Sequence, residues 1–112
     1  MPIRRKKTRN VVIVMSGIPS DSSLFDLKSH YLSQHVPSIG SHYVVHADGD
    51  VDRERELEVH GNVDARFNRD SVFIELMGET NEDITPQQRQ TVRGIVSRME
   101  ELYGAEELDL TL

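Results

Sequence analysis

The chain has 112 residues, a formal net charge of −6 and no cysteine. This length suits one domain with a modest core, and the lack of cysteine excludes a disulfide framework and thiolate metal ligands. No apolar run is long enough to span a bilayer, and the basic N-terminus lacks the apolar stretch of a signal peptide, so we expect a cytoplasmic protein that has no membrane contact.

Positive charge is concentrated at the N-terminus. Five of the 13 basic residues lie there, and they are Arg4, Arg5, Lys6, Lys7 and Arg9. The rest of the chain carries 8 basic and 19 acidic residues, a net charge of −11 that should repel nucleic acid. We expect residues 1–9 to form a flexible, solvated basic arm. Electrostatic contact with phosphate, RNA or an acidic partner is expected only through this arm.

The first half of the chain predicts a strand, a helix and a hairpin. Residues 11–15 form an apolar, largely β-branched run that is typical of a buried central strand. Ser23 and Asp26 form a capping pattern that predicts a helix over residues 24–34. Residues 42–46 predict a strand, followed by a turn at Asp48-Gly49 and a short charged return strand, which suits the edge of a sheet.

The second half predicts a loop, a strand, a long helix and a terminal strand. Residues 61–70 indicate a surface loop and residues 71–77 a second strong strand. Thr85-Pro86-Gln87-Gln88 is a helix start, and Gly104 is a C-terminal cap. The predicted apolar face of this helix comprises Val92, Ile95, Val96, Met99, Leu102 and Tyr103. Alternating leucines predict a strand at 108–112. The fold class expected is α/β, a mixed central sheet with flanking helices.

Five segments carry a family resemblance when they are taken in order. They are residues 11–16, residues 39–45 with Asp48-Gly49, residues 59–62, residues 68–78 and residues 84–88. Together they resemble the zinc-dependent N-acetylmuramoyl-L-alanine amidases, whose fold is shared with peptidoglycan-recognition proteins and small phage lysozyme-type amidases. The resemblance implies a shortened amidase-like domain over residues 10–112.

The resemblance also implies three zinc ligands, and a Tyr or Glu that assists attack by a zinc-bound water. Met15 stands at the position of the first ligand, and a thioether suits catalytic zinc poorly. Ser41 stands where the phage enzymes have their catalytic Tyr. The predicted strand at 108–112 has no His for the second ligand, and the chain ends before the third. We therefore expect no catalytic residue, no bound metal and no cofactor.

The remaining polar residues offer no clear substitute for these ligands. The five histidines are His30, His35, His42, His46 and His60. His42 and His46 share a strand face but lie about 13 Å apart, and His30 and His35 face different sides of a helix. Surface or hydrogen-bonded histidines are the expected interpretation. Glu75 lies on a buried strand, which favours a structural hydrogen-bonding role over that of a base.

The groove is the part of the family site that the sequence retains. Its predicted lining, and the predicted partner-binding surface, is Met15, Ser16, Ser41, His42, His60, Gly61 and Asn68. The alternative for His60, Gly61 and Asn68 is that they keep a loop in shape. We expect a catalytically inactive amidase-like protein that binds and regulates or inhibits another protein, and the resemblance implies that it is phage-encoded. Two alternatives stay open: a non-catalytic module that binds peptidoglycan fragments (muropeptides), and an amidase with an atypical site.

Overall fold

The computed structural model describes residues 3–111, which form five strands and two helices. The elements are β1 (Asn10–Met15), α1 (Leu24–Ser33), β2 (Tyr43–Val45), β3 (Val51–Arg53), β4 (Ser71–Leu76), α2 (Pro86–Tyr103) and β5 (Glu106–Asp109). A short 3-10 turn, Asn81–Asp83, precedes α2. The element order is the one that the sequence predicts.

The strands form one mixed sheet in the order β3-β2-β4-β1-β5. β2, β4, β1 and β5 run parallel, while β3 is an antiparallel edge strand that β2 reaches through the predicted hairpin. The two central strands pair over six residues, from Asn10 opposite Ser71 to Met15 opposite Leu76. The α/β class with a mixed central sheet is confirmed.

Side chains alternate between the two faces of the sheet, and each face packs against one helix. The face that meets α2 holds the larger core, with Val11, Ile13, Val45, Val72, Ile74, Leu76, Val92, Val96, Met99 and Ala105. The face that meets α1 holds a smaller core of Leu27, Ile39, Val44 and Met77. The α1 face therefore has the smaller apolar core of the two.

The start of α2 is fixed by the cap that the sequence predicts. Thr85 and Gln88 form a capping box, and the buried Gln88 amide also donates to the carbonyls of Val45 and Met77, at 3.1 and 3.0 Å. Gln88 thus ties the helix to the ends of β2 and β4. Leu102 was predicted to face the sheet, and that prediction is wrong, because its side chain is 49% exposed. It lies about 80° around the helix from Val92, at the margin of the buried stripe.

Residues 3–9 are bound to the domain, which corrects the prediction of a free arm. Arg4 forms an antiparallel bridge with Val59. The Arg5 amide donates to the Glu58 carbonyl at 2.6 Å, and the His60 amide donates to the Ile3 carbonyl at 2.8 Å. Attraction between a basic segment and an acidic body favours this pairing. We call residues 3–9 the N-terminal strap.

The terminal strand runs from Glu106 to Asp109, two residues earlier than the alternating leucines predict. Met1, Pro2 and Leu112 lie outside the described residues, so the end of the predicted strand at 108–112 does too. Within residues 3–111, neither helix is long and apolar enough to cross a membrane.

Candidate groove on the α1 face

The candidate site is the strip of sheet beside α1. Val14 of β1 lies level with Glu75 of β4, and both are on the α1 face. Tyr31 of α1 reaches this strip, because its hydroxyl contacts the Glu75 carboxylate. Val14 and Tyr31 are each partly exposed, and so is His60, which the sequence assigns to the groove. We name this strip the α1-face groove.

Glu75 is a buried carboxylate beneath the groove. Its Oε2 accepts a hydrogen bond from the Tyr31 hydroxyl at 2.6 Å, and its Oε1 accepts one from the Ser41 hydroxyl at 2.9 Å. Burial raises the pKa of Glu75, against the opposing effect of these two hydrogen bonds. Burial also raises the pKa of Tyr31, which keeps that hydroxyl protonated as a donor. The carboxylate is satisfied inside the protein, in agreement with the structural role that the sequence predicts.

Ser41 and Ser16 were predicted to line the groove, but both are buried and bonded within the fold. Ser41 is fully buried against Glu75. The Ser16 hydroxyl accepts from the Gly78 amide at 3.0 Å and donates to the Gly78 carbonyl at 3.2 Å. Ser16 therefore joins the ends of β1 and β4. Neither hydroxyl is presented to a ligand.

His42 is a core residue rather than a groove residue. Its ring is fully buried. The Phe73 amide donates to Nδ1 at 3.0 Å, so the ring proton lies on Nε2, which donates to the Val59 carbonyl at 2.7 Å. Both nitrogens are occupied, so His42 joins β4 to the segment before His60 and has no lone pair for a ligand.

The same environment keeps His42 neutral. Burial lowers its pKa from 6.5 to about 4, and the nearby Arg5 guanidinium adds to this effect while the bond to Val59 opposes it. A lowered pKa means that the native state binds the proton less well than the unfolded chain. The stabilisation from His42 is therefore present above pH 6.5 and is lost as the pH falls toward about 4.

We expect unfolding in urea to show this loss between about pH 7 and pH 4.5. The raised pKa of Glu75 has the opposite effect on the pH dependence of stability. Ionising this buried carboxyl costs stability once the pH rises above the usual pKa of a glutamate. A His42→Gln variant isolates the histidine, since it keeps an amide that can donate and accept. The wild type should lose more stability over this range than the variant does, and equal losses would contradict the assignment.

Gly61 and Asn68 have structural roles. A Cβ on Gly61 would lie 2.4 Å from the Phe73 ring, and one on Gly40 would lie 2.0 Å from the Asn62 carbonyl oxygen. The chain segments at Gly40 and at Asn62 thus touch through their backbones, and the Asn62 amide donates to the Gly40 carbonyl at 2.9 Å. The Asn68 side chain accepts from two loop amides, at 2.8 and 2.9 Å. The loop-shaping alternative therefore describes Gly61 and Asn68 better than ligand contact does.

Met15 lies on the wrong face for the groove. Its side chain packs against the core on the α2 side, and Val14, its neighbour, occupies the groove face instead. The apolar run of β1 carried no signal to distinguish them, because a strand buried on both faces shows no alternation. Val14 and Tyr31 are the groove residues that sequence reasoning missed.

The zinc site implied by the resemblance does not fit the residues of the groove. Val14 is a hydrocarbon, and the nitrogens of His42 are both used within the core. Across residues 3–111, no three side chains of His, Asp or Glu are grouped so as to hold a metal ion. Among the predicted lining, His60 alone is a partly exposed histidine.

The strap carries fewer available charges than its composition indicates. Arg4 pairs with Glu56 and Glu58, at 3.2 and 3.3 Å. The Arg5 side chain donates to the Val59 carbonyl at 3.0 Å and lies over the Tyr103 ring. Arg9 lies 4.0 Å from Asp70. Of the five predicted contact residues, Lys6 and Lys7 are exposed and form no ion pair within the part of the chain that is described.

The fold recurs in solved structures of amidases and peptidoglycan-recognition proteins. The peptidoglycan recognition protein LE, solved in complex with tracheal cytotoxin, superposes with a TM-score of 0.78 at 19% identity, over 96% of this chain and 72% of that one. The N-acetylmuramoyl-L-alanine amidase LysC from Clostridium intestinale URNW superposes with a TM-score of 0.72 at 19% identity, over 89% of this chain and 70% of that one. The Ph2119 endolysin from Thermus scotoductus MAT2119 bacteriophage Ph2119 superposes with a TM-score of 0.71 at 16% identity, over 95% of this chain and 75% of that one.

At these identities the structural likeness establishes the fold. No curated protein matches the chain significantly. Residues 4–109 match the sequence profile of the N-acetylmuramoyl-L-alanine amidases. Because this match spans nearly all of the 112 residues, the chain belongs to the N-acetylmuramoyl-L-alanine amidase family.

Proposed function

We propose that the chain binds peptidoglycan fragments in the α1-face groove without cleaving them. The observation that carries the proposal is Val14, an apolar and partly exposed side chain on the groove face of β1. An amidase reaction in this family would need a metal ligand in the groove, and a valine offers none. The same valine gives the groove an apolar floor that suits binding.

The chemistry of the groove matches a muropeptide. Such a ligand combines methyl groups from its lactyl and alanyl units with many amides and hydroxyls. Val14 offers an apolar contact and the Tyr31 hydroxyl a polar one, and the imidazole of His60, a predicted groove residue, is a further partly exposed polar group. A small number of polar groups around an apolar floor is the usual composition of a small-molecule site. The structural neighbour that was solved with tracheal cytotoxin, a monomeric peptidoglycan, supports this ligand class.

Regulation of another protein is the second candidate. The feature that favours it is the exposed apolar patch on the outer side of α1, where Phe25 and Leu32 project. This patch is separate from the predicted groove residues, most of which are buried in the fold.

Phage origin and a cytoplasmic location stay predictions. A cytoplasmic binder would meet soluble fragments rather than the intact polymer.

Isothermal titration with a soluble N-acetylmuramoyl-peptide tests the proposal. We expect saturable binding by the wild type and a loss of at least about tenfold in Val14→Glu, which places a charge on the apolar floor. Val51→Glu is the matched control, because Val51 lies on the edge strand β3 and is 47% exposed. This control should bind like the wild type.

His60→Ala provides a second variant in case Val14→Glu disturbs the fold. The His60 side chain is partly exposed and makes no hydrogen bond within residues 3–111, so its removal should leave stability nearly unchanged while weakening binding. Absence of binding by the wild type, or equal affinities in the wild type, Val14→Glu and His60→Ala, would refute the proposal.

A further inference from the structure

β5 is an edge strand, and its outer side pairs with no other strand of residues 3–111. Its inner side pairs with β1, where the Glu106 amide donates to the Arg9 carbonyl at 2.9 Å. Because successive residues of a strand direct their backbone groups to opposite sides, Glu107 and Asp109 direct theirs away from β1. This edge therefore presents amide and carbonyl groups that an added strand can pair with.

A recess lies on the α2 face of this edge, between β5 and α2. It has a volume of about 230 Å³, and its floor includes the core side chains of Ile13, Leu76, Val92 and Val96. Pockets for drug-sized ligands are larger, about 300 Å³ or more, so this volume suits a side chain of a bound peptide. An open strand edge beside a side-chain pocket is the arrangement by which proteins bind peptides through strand addition.

The two ends of the recess carry opposite charges. α2 runs antiparallel to the strands, because it connects the end of β4 to the start of β5 and these strands are parallel. Arg89 and Arg93 on the wall of the recess therefore lie toward the carboxyl ends of the strands, which we call the arginine end. Glu100 lies toward the amino ends, as does Glu107 near the start of β5, and we call this the glutamate end.

These charged side chains have no partner of opposite charge in the described part of the chain, because none of the four forms an ion pair there. Asp109 lies nearer the arginine end, at the register position of Ile13. Its carboxylate accepts from the Thr111 amide at 2.9 Å, and the two arginines outnumber it. The recess is thus complementary to a ligand with a positive group at one end and a negative group at the other.

We propose that β5 and the recess bind a short extended peptide as an added parallel strand, with its amino terminus at the glutamate end and its carboxyl terminus at the arginine end. Along the axis of α2, Glu100 is about 10 Å from Arg93 and about 16 Å from Arg89. At about 3.3 Å per residue, these separations correspond to about three to five residues of extended peptide.

The charges select this occupant over a second copy of the chain and over nucleic acid. Two copies of β5 paired across a two-fold axis would bring the exposed acids Glu106, Glu107 and Asp109 of one copy against those of the other. Like charges across a strand pair are destabilising, and nucleic acid would meet the same acids. The proposal does not depend on muropeptide binding, because the recess lies on the α2 face and the groove on the α1 face.

NMR titration of the isotope-labelled chain with the tetrapeptide Lys-Leu-Thr-Leu tests the proposal. Its lysine and amino terminus supply positive charge for the glutamate end. We expect saturable shifts of the Glu107 and Asp109 amides, with a dissociation constant of about 0.1–1 mM. The same peptide with an amidated carboxyl terminus should bind at least about fivefold more weakly, because it lacks the charge that the arginine end attracts.

The double variant Arg89→Gln with Arg93→Gln should bind the free-acid peptide at least about fivefold more weakly and should bind the amidated peptide like the wild type. Arg98→Gln is the matched control, because Arg98 is exposed on α2 and does not line the recess. Glu107→Pro should abolish binding, since proline removes the outward amide donor and leaves the bonds between β5 and β1 in place.

Four outcomes would overturn the proposal: no shift at the Glu107 and Asp109 amides of the wild type, equal affinities in the wild type and the arginine double variant, an equal loss in Arg98→Gln, or wild-type binding by Glu107→Pro. Shifts of these amides that depend on protein concentration without peptide would identify a second copy as the occupant, and would also overturn it. The amides of Val14 and Tyr31 report on the α1-face groove when a muropeptide is titrated, so failure of one proposal is distinguishable from failure of the other.

Discussion

Replacing His42 with alanine should destabilise the protein by about 3–5 kcal/mol, because the change removes a buried ring and two buried hydrogen bonds. The Phe73 amide would lose its acceptor and the Val59 carbonyl would lose its donor. The ring also stacks parallel to the Phe73 ring, with the centroids 6.2 Å apart. Equilibrium unfolding in urea measures the loss.

His60→Ala is the control for this experiment. His60 was assigned to the same predicted groove, but it is partly exposed, and a surface substitution usually changes stability by less than about 0.5 kcal/mol. The two variants should therefore differ widely in stability. Similar unfolding midpoints would show that His42 does not hold the fold in the way described.

Val96→Asp should cost about 4 kcal/mol or more, because it buries a carboxylate without a partner between α2 and the sheet. Val96 is 5% exposed and packs in the larger core. Ser97→Asp, one residue along the same helix, is exposed and should unfold near the wild-type midpoint. Thermal unfolding followed by circular dichroism compares the two. Equal melting temperatures would mean that α2 does not present Val96 to the sheet.

The sequence predicted the elements well where the signals were local. The capping pairs Ser23 with Asp26 and Thr85 with Gln88 fixed the start of both helices. The β-branched run of β1 predicted the central strand, and the order of elements then determined the class of fold. These features depend on residues that are close in the chain, and one sequence contains that information.

The composition of the candidate site depended on contacts that are remote in the chain. The sequence predicts a surface or hydrogen-bonded role for His42 without naming its partners, because those partners, Phe73 and Val59, lie 31 and 17 residues away. The sequence predicts that the strap is a solvated tail, because the residues it pairs with, 58–60, lie more than fifty positions further along the chain. No local pattern indicates either contact.

The other error in the predicted groove concerned which residues of β1 face which side of the sheet. Met15 and Val14 are both apolar, so the sequence did not show which side chain faces the groove. The register with β4 resolves this, because Val14 lies opposite Glu75 and Met15 opposite Leu76. One residue of shift exchanges the faces of a strand, and it changes the predicted groove floor from a thioether to an isopropyl group.

The most direct test of non-catalytic binding is titration of an N-acetylmuramoyl-peptide into the full chain, once with added zinc and once with a chelator, followed by mass spectrometry of the ligand. We predict the same affinity in both conditions and a ligand that is recovered intact. Release of the free peptide from the muramoyl group in the zinc sample would contradict the account, and so would the absence of binding in the chelator sample.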